Sequence, residues 1–448
     1  MIEEKLYDYI CEAPNLELPA DVDLRCRMHL LDTLVAIISG ITLLPGRQAH
    51  NTVLAMHGKG DCSLLGTSKK VSAFEAALAN GMAAHADETD DSHLEGRFHP
   101  GCAIIPAAIS AAEIVNVSSQ GLLRSIALGY DVGARCNMAL GVRNASKIKF
   151  STHCVGGLFG AAAAASACFN LQREQINTMM SFTVQQASGL PYWNRDPDHI
   201  EKAFVFGGKG ARDGLYSAFF GRMHLTSPQN PLIGERGFLP CFAEQPDASK
   251  LIDGLGEIFE ISNASIKKWC VGSPIQSVLD ALEALSKKQK ITAETVEKIT
   301  LTMPSDRIHI VDDASIPTIC LQHLVALMIL RGDCTFADAH DEKLMSHPAI
   351  LEIQNKIDIV KSDVLAGAKP ERQSIVVLRL KNDKELCHHA KVVHGTPQRP
   401  MTVDDVAKKA TSVLGSVSDQ DFSQLIDICL EKNFFSMSEL ADSCCLIN

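Results

Sequence analysis

The chain has 448 residues, of which 46% are hydrophobic and 21% are charged. This composition is ordinary for a folded globular protein and excludes an intrinsically disordered chain. A formal charge of −11 argues against a nucleic-acid-binding surface, because phosphate contacts need clustered lysine and arginine. An acidic protein that binds an anion must instead concentrate positive charge locally.

Length and residue balance also indicate the fold class. A chain of this length is too long for one hydrophobic core, so two domains are expected. Aromatic residues make up only 5% of the chain, whereas alanine and leucine are abundant. This balance favours close-packed helices over a β-sandwich, because strands are enriched in aromatic and β-branched side chains.

The 15 cysteines are scattered, and no C-x-x-C pair occurs. An odd count without zinc-ligand spacing, and a first segment unlike a signal peptide, indicate a reducing compartment. The longest apolar stretches are too short or too rich in alanine to span a bilayer. We therefore expect a cytoplasmic protein that associates with neither membranes nor nucleic acid.

Apolar residues at helical spacing dominate the first half of the chain. The segment 21–39 shows the pattern clearly, and Gly40 supplies a stop signal. The run Ala161–Ala165 offers small side chains that let neighbouring helices approach closely. Helices are predicted in this half over 21–39, 73–86, 102–115, 121–138, 156–169 and 175–188.

The pattern changes after about Ile258. Strands are predicted over 296–303 and 374–380, and 386–393 can pair with the second of these across the Asn382-Asp383 turn. Helices are predicted at 275–285 and 318–330, and the chain becomes helical again from Thr402. We predict a mainly α protein with an inserted α+β domain. Residues 1–260 and 397–448 would form a large all-helical domain from both chain ends, and residues 261–396 a smaller lid domain.

The densest polar segment runs from His85 to His93 and continues from Arg97 to Gly101. It holds four carboxylates and three histidines, close enough to shift one another's pKa values. One interpretation is structural, because Asp and Ser cap helices and His99-Pro100 could begin the next one. Another is a metal site, since His and Asp are good ligands, although no partner ligand set has recognisable spacing elsewhere.

His153 stands just before the small-residue helix that opens with Gly156-Gly157. A histidine at a helix N-terminus tends to stay neutral, because the positive end of the helix dipole disfavours its charged form. A neutral imidazole can act as a base or as a hydrogen-bond donor. The alternative is a histidine that merely caps the helix.

Two further segments combine lysine with glycine or tryptophan. The glycine-rich segment 201–212 fits neither the Walker pattern nor a dinucleotide fingerprint. A glycine-rich helix start flanked by Lys202, Lys209 and Arg212 can still hold a carboxylate. The segment around Lys267, where the inserted domain is predicted to begin, is either a solvated strand end or a substrate clamp.

Taken together, these segments resemble the MmgE/PrpD family, which includes 2-methylcitrate dehydratase, cis-aconitate decarboxylase and iminodisuccinate epimerase. The resemblance covers nearly the whole chain, and the order of its motifs is specific. The motifs are Asn80-Gly81-Met82-Ala83-Ala84-His85, Asp90-Asp91-Ser92, His99-Pro100, Gly129-Tyr130-Asp131-Val132, Ala211-Arg212-Asp213-Gly214, the Lys267 segment and Leu321-Gln322-His323-Leu324.

The resemblance implies a helical domain with an α+β lid, a homodimer, and catalysis without a metal or an organic cofactor. The residues that it implies as catalytic are His99, His153, Asp91, Lys202 and Lys267. The predicted substrate-binding residues are Glu88, Ser92, Arg212, Lys209 and His323.

Some positions depart from the family pattern. Glu88 stands where Asp is usual, Ser92 where Thr is common, and His323 where the decarboxylase carries Tyr. The gap between Ser92 and His99 is also longer than in the decarboxylase, and the Lys202 region is aligned to within one residue. These departures bear on the substrate more than on the fold.

The family's reactions need a carbanion-like centre beside a carboxylate, reached by deprotonation or by loss of CO2. We expect Lys202, Lys267 and Arg212 to bind carboxylates of a small polycarboxylic acid, and His99 and His153 to move the proton. Asp91 would orient a histidine, and Ser92 would hydrogen-bond the substrate.

The predicted function is a cofactor-independent lyase, either a 2-methylcitrate dehydratase-like hydro-lyase or a cis-aconitate decarboxylase-like enzyme. An iminodisuccinate-type epimerase is the alternative, because two bases on opposite faces of a carbon suffice for epimerisation. A metal-dependent hydrolase and a helical binding module without activity are remoter alternatives.

Overall fold

The structure is a computed structural model that describes residues 2–56, 58–142 and 149–446. Helices account for most of it, which confirms the prediction of a mainly α protein. In the first part of the chain, the helices are Ile2–Glu12 (α1), Ala20–Gly40 (α2), Leu44–Ala55 (α3), Ala73–Ala84 (α4), Gly101–Val115 (α5), Ser119–Ala139 (α6), Thr152–Cys168 (α7), Arg173–Gln186 (α8), Ile200–Ala203 (α9), Lys209–Arg222 (α10) and Phe238–Phe242 (α11).

The later helices alternate with strands. The helices are Gln276–Lys288 (α12), Leu321–Arg331 (α13), Phe336–His340 (α14), Pro348–Gln354 (α15), Asp363–Ala366 (α16), Val403–Val417 (α17), Ser423–Leu430 (α18) and Met437–Ser443 (α19). The strands are Cys62–Ser63 (β1), Lys70–Val71 (β2), Ser92–His93 (β3), Ala264–Ser265 (β4), Val296–Pro304 (β5), Ile357–Ser362 (β6), Ser374–Leu380 (β7) and Glu385–Ala390 (β8).

The chain divides into two compact units. The first comprises residues 1–86, 90–265 and 418–448, and the second comprises residues 87–89 and 266–417. The expected boundaries at 260/261 and 396/397 differ from these, the second by about one helix. Helix α17 groups with the second unit because it packs against α14.

The first unit is built around α7, which packs against α5, α6 and α10. Its alanine run is fully buried. The close approach of α6 and α7 depends on glycine. A Cβ atom on Gly133 would clash with the carbonyl oxygen of Gly156, and a Cβ atom on Gly160 would clash with that of Gly129. The small side chains therefore serve helix packing.

The second unit contains a four-stranded sheet in the order β6-β5-β7-β8. Strands β7 and β8 pair antiparallel as predicted, and Asp383 in their turn has a left-handed backbone. Strand β6, which pairs parallel with β5, was not predicted. It lies at the sheet edge and has no fully buried residue. Its alternation of half-buried and exposed positions covers only residues 357–360, which is too short to indicate a strand clearly.

No single helix in the described ranges combines the length and apolarity needed to cross a membrane. Helices α2 and α3 would qualify only as a pair, and they meet at an 82° bend.

Candidate functional site

A cluster of histidines lies in the first unit, where α4 ends and α5 begins. Helix α4 starts with a capping box between Ser72 and Glu75, and it ends at His85. His99 lies immediately before Pro100, the residue that precedes α5. The loop between the two helices thus begins with His85 and ends with His99 and Pro100.

Asp90 bridges these two histidines. Its Oδ2 lies 2.9 Å from His85 Nδ1, and its Oδ1 lies 3.1 Å from His99 Nδ1. Asp90 and His85 are completely buried, and His99 is 9% exposed. One carboxylate therefore holds two imidazole rings in place.

The electrostatics of this bridge fix its charge. Burial acts to raise the pKa of Asp90, but the charges and hydrogen bonds of His85 and His99 outweigh it and hold the pKa well below its usual value. Burial also lowers the pKa of His85, against the pull of Asp90. Asp90 is thus an anion and His85 is neutral near pH 7.

This arrangement selects the tautomer of each histidine. A carboxylate accepts hydrogen bonds, so both rings donate from Nδ1 to Asp90. In a neutral ring, Nε2 is then the atom with the free lone pair. His85 Nε2 has no hydrogen-bond partner in the described part of the chain. In the neutral form of His99, the corresponding Nε2 atom can accept a proton.

Phe206 connects the bridge to a third histidine. The ring of His85 stacks on Phe206 with 4.4 Å between centroids, and that of His153 stacks on it at 3.7 Å. The His99 and His153 ring centroids lie 5.3 Å apart. The structure therefore brings together the two histidines that the sequence predicts as catalytic, one from the loop and one from the first turn of α7.

Lys202 and Trp193 join the same cluster. The Lys202 Nζ lies 5.3 Å from the Phe206 ring centroid and 5.8 Å from that of Trp193. Its positive charge also contributes to lowering the pKa of His85. An ammonium group beside this histidine cluster is a suitable partner for a carboxylate.

The glycine-rich segment has a different role from the predicted one. A π-helical segment, Phe204–Gly208, joins α9 to α10 in one continuous helix. The glycines therefore lie inside a helix, so the prediction that they begin one is wrong. A Cβ atom on Gly207 would overlap the Gly81 carbonyl oxygen, so Gly207 serves close packing on α4.

Lys209 and Arg212 are engaged with one carboxylate. Lys209 Nζ and Arg212 Nε each lie 2.8 Å from an oxygen of Asp213, and Lys209 also donates to the Gln186 carbonyl oxygen. Asp213 neutralises much of their charge. Their predicted role in substrate binding stays a prediction.

Asp91 contacts a histidine, but not His99. Its carboxylate lies 2.7 Å from His29 Nδ1 and accepts a 2.6 Å hydrogen bond from the Tyr130 hydroxyl. The Gly101 amide donates to its other oxygen. The carboxylate that orients His99 is therefore its neighbour Asp90. The predicted role of Asp91, to orient a histidine, stays a prediction.

Ser92 is buried in β3, where it pairs with Ser265 of β4. Its backbone is thus anchored within the first unit. Hydrogen bonding of its hydroxyl to a substrate stays a prediction.

Three predicted site residues belong to the second unit. Lys267 Nζ lies 2.7 Å from the Glu88 carbonyl oxygen and 3.3 Å from its Oε2, and both residues are buried. His323 is buried on α13, and burial lowers its pKa. Neither of its ring nitrogens has a hydrogen-bond partner within the ranges that the structure describes.

Several residues of the site escaped prediction. Asp90 and His85 were visible in the polar segment, but nothing in the sequence distinguished Asp90 from Asp91. His29 and Tyr130 lie far from the loop in sequence, and Tyr130 was marked only by its motif. Phe206, Trp193 and His199 carried no signal. The structure places His199 with a left-handed backbone and its ring 5.2 Å from that of His85.

The same cluster could hold a metal ion. One ligand atom from each of His85, Asp90 and His99 lies within 4.8 Å of the others, and imidazole with carboxylate suits zinc and related ions. However, the Nδ1–carboxylate distances of 2.9 and 3.1 Å are hydrogen-bond lengths. The contacts fit two protonated Nδ1 atoms on one carboxylate, which is an acid–base arrangement.

Comparison with known proteins agrees with the family resemblance. Sequence models of the MmgE/PrpD N-terminal domain and C-terminal domain match residues 4–251 and 269–432. A cis-aconitate decarboxylase-like protein of Aspergillus oryzae is 26% identical over 308 residues, which cover 64% of this chain and 62% of that protein. A cis-aconitate decarboxylase of Aspergillus terreus is 23% identical over 302 residues, or 62% of this chain and 60% of its own length. The chain thus matches about three fifths of the length of these two relatives. The chain belongs to the MmgE/PrpD family.

Proposed function

We propose that this protein is a lyase that moves a proton next to a carboxylate of a small polycarboxylic acid, with no metal or organic cofactor. The observation that carries the proposal is the Asp90 bridge, which holds the His99 ring by its Nδ1 atom, 5.3 Å from the His153 ring. Lys202 contacts Phe206, the ring on which His153 stacks. The names of the relatives point to the same class of reaction. Dehydratase and decarboxylase remain the two forms of this proposal.

Lys202 is proposed to hold a substrate carboxylate. Its ammonium group sits against two aromatic rings in a partly dry environment, where its attraction for an anion exceeds that in bulk water. With the carboxylate held there, the adjacent carbon would lie near the imidazoles of His99 and His153. Such positioning converts proton transfer into an intramolecular step.

In a dehydration, His99 Nε2 would take the proton from the carbon next to the carboxylate. The electron pair of that C–H bond forms the new double bond, and hydroxide leaves from the neighbouring carbon. His153 in its protonated form would supply a proton to the departing hydroxide, so that water is released.

In a decarboxylation, the bond between carbon and a carboxylate breaks, and its electron pair stays on the carbon as CO2 leaves. A protonated His99 or His153 would then deliver a proton to that carbon. Asp90 would assist either reaction, because its negative charge stabilises the imidazolium form of His99 that appears during the catalytic cycle.

The test is turnover by variants with the two imidazoles removed. We expect His99→Gln and His153→Gln to lower kcat by about 10²- to 10⁴-fold, the usual size of general acid–base catalysis. Citrate-like and aconitate-like acids, first ranked by thermal shift, would be followed by proton NMR in D2O. His309→Gln is the control, because His309 is exposed in the second unit. Near-wild-type turnover by both His99→Gln and His153→Gln would contradict the proposed mechanism.

The same measurement separates the alternatives. Solvent deuterium that enters the substrate without net turnover to a new compound would favour the epimerase, with His99 and His153 as its two bases. Loss of activity in EDTA, restored by a divalent ion, would favour a metal-dependent hydrolase at His85, Asp90 and His99.

A further inference from the structure

Residues 87–89 are each contacted by a basic side chain of the second unit. His340 Nε2 lies 2.7 Å from the Asp87 carboxylate, Lys267 Nζ contacts Glu88, and Lys409 Nζ lies 3.0 Å from the Thr89 carbonyl oxygen. We call these three contacts the loop latch. Lys267 was predicted as a catalytic residue, whereas nothing assigns a role to His340 or Lys409.

The latch acts mainly on the backbone of the loop. Lys267 and Lys409 donate to the carbonyl oxygens of two consecutive residues, Glu88 and Thr89. Both ammonium groups are buried, although desolvating a charge is costly. These bonds fix the path of the chain, and Lys267 also pairs with the Glu88 carboxylate at 3.3 Å.

His340 is itself held in a defined orientation. Its Nδ1 lies 2.7 Å from the Phe336 carbonyl oxygen, one turn earlier in α14, and its ring stacks on that of Phe336 at 4.0 Å. Both ring nitrogens therefore lie at hydrogen-bond distance from an oxygen atom, which fixes the orientation of the ring. Asp87 in turn accepts hydrogen bonds from the amide and hydroxyl of Thr89. The three loop residues therefore form one ordered turn.

We infer that His340 and Lys409 are positioning residues, which hold this turn so that the Glu88 carboxylate keeps its orientation beside Lys267. Glu88 is predicted to bind substrate, so the kinetic consequence of the latch rests on the proposed function. The structural consequence, an ordered loop, does not.

The test compares neighbouring lysines of α17. Lys409→Met removes the buried ammonium group and keeps a similar length, whereas Lys408→Met removes an exposed one that pairs with Asp404. His340→Asn is a second variant, which removes the contact with Asp87 from a different helix. Hydrogen exchange of the 87–92 amides is measured by mass spectrometry in the full chain, alongside kcat and KM for cis-aconitate and citrate.

We expect Lys409→Met and His340→Asn to raise exchange in 87–92 by at least about 10-fold and to lower kcat/KM by about 10- to 100-fold, as misplacement of a binding group does. Lys408→Met should change neither the loop exchange nor kcat/KM. Lys409→Arg, which keeps the positive charge, should leave both quantities close to their wild-type values. A merely structural role would raise exchange throughout α17 as well, and that result would overturn the inference.

Unchanged loop exchange in both Lys409→Met and His340→Asn would also overturn it. If the wild-type protein turns over neither acid, the exchange measurement still decides whether the latch exists. The failure of the proposed function is therefore distinguishable from the failure of this inference.

Discussion

Asp90 shows how much one residue in the cluster controls. It is completely buried, and its two carboxylate oxygens contact the Nδ1 atoms of His85 and His99. Each histidine donates one proton to it, so its charge fixes both tautomers. Asparagine in its place would offer only one acceptor oxygen, and its amide group would face the other ring as a donor.

We therefore expect Asp90→Asn to lower kcat by about 10²- to 10⁴-fold, because a histidine held in the wrong tautomer cannot serve as the base. The test is steady-state turnover of the acid identified in the thermal-shift panel. Asp404→Asn is the matched control, since Asp404 is exposed on α17. Retention of more than about a third of the wild-type kcat by Asp90→Asn would contradict this role.

Asp90→Asn should also destabilise the fold in a pH-dependent way. The pKa of Asp90 is lowered in the folded protein, so its contribution to stability is present above the ordinary pKa of 3.8 and is lost as pH falls through the lower, folded value. The difference in unfolding free energy between wild type and variant should shrink in strong acid, as urea titrations at pH 7 and below pH 3 would show.

The directions of individual loop side chains could not be predicted from the sequence. Two adjacent carboxylates, Asp90 and Asp91, looked equivalent in the polar segment. In the fold one faces His85 and His99, and the other faces His29 and Tyr130. Side-chain direction in a loop depends on its backbone path, which long-range packing determines.

At the scale of elements, close packing explains the glycine-rich helix. Gly207 in the π-helical segment and Gly81 in α4 approach without side chains between them. Phe206, one residue earlier, can then reach the histidine rings. The absence of a side chain at position 207 thus accompanies the aromatic contacts at position 206.

Gly207→Ala should lower the free energy of unfolding by about 2–4 kcal/mol, because the new methyl group overlaps a backbone carbonyl that cannot move aside easily. Gly415→Ala, inside α17, is the matched control. Nothing lies within 4 Å of the position of its Cβ, so that variant should gain up to about 1 kcal/mol from helix propensity. Urea denaturation measures both, and equal effects would refute the packing argument.

The long helices and three strands of the large sheet could be predicted from the spacing of apolar residues along the sequence. Helix α5 was predicted within one residue of each end, and the hairpin of β7 and β8 followed from its turn. The π-helical segment was not predicted, because its residues satisfy the same apolar pattern as an α-helix. The extra residue in its turn depends on contacts with α4.

The whole molecule should respond to acid through its buried histidines. The pKa of His50, on α3, is lowered from 6.5 to about 4 because burial disfavours its charged form and Lys69 adds repulsion. The unfolded chain therefore binds more protons between these two values. Stability is full above about pH 6.5 and falls as pH drops toward 4.

His50→Gln should remove about 3 kcal/mol of this loss, since each pKa unit corresponds to about 1.4 kcal/mol. The check is the unfolding free energy at pH 7 and pH 4 for wild type, His50→Gln and the exposed control His309→Gln. If burial of His50 causes the loss, the unfolding free energy of His50→Gln should change less between pH 7 and pH 4 than that of the wild type or of His309→Gln. An identical pH dependence in all three proteins would contradict it. The proposed homodimer makes protein concentration a variable to hold constant in this comparison.

The sequence by itself determined the helical class, the inserted α+β region, the family and the two histidines that meet in the cluster, His99 and His153. These follow from local periodicity and from motifs whose order is readable along the chain. Only the tertiary structure decided that Asp90 bridges two rings, that Phe206 stacks on His85 and His153, and that residues 87–89 group with the second unit. Each of these is a contact between side chains whose positions are set by packing distant segments together, and such contacts leave no periodic trace in sequence.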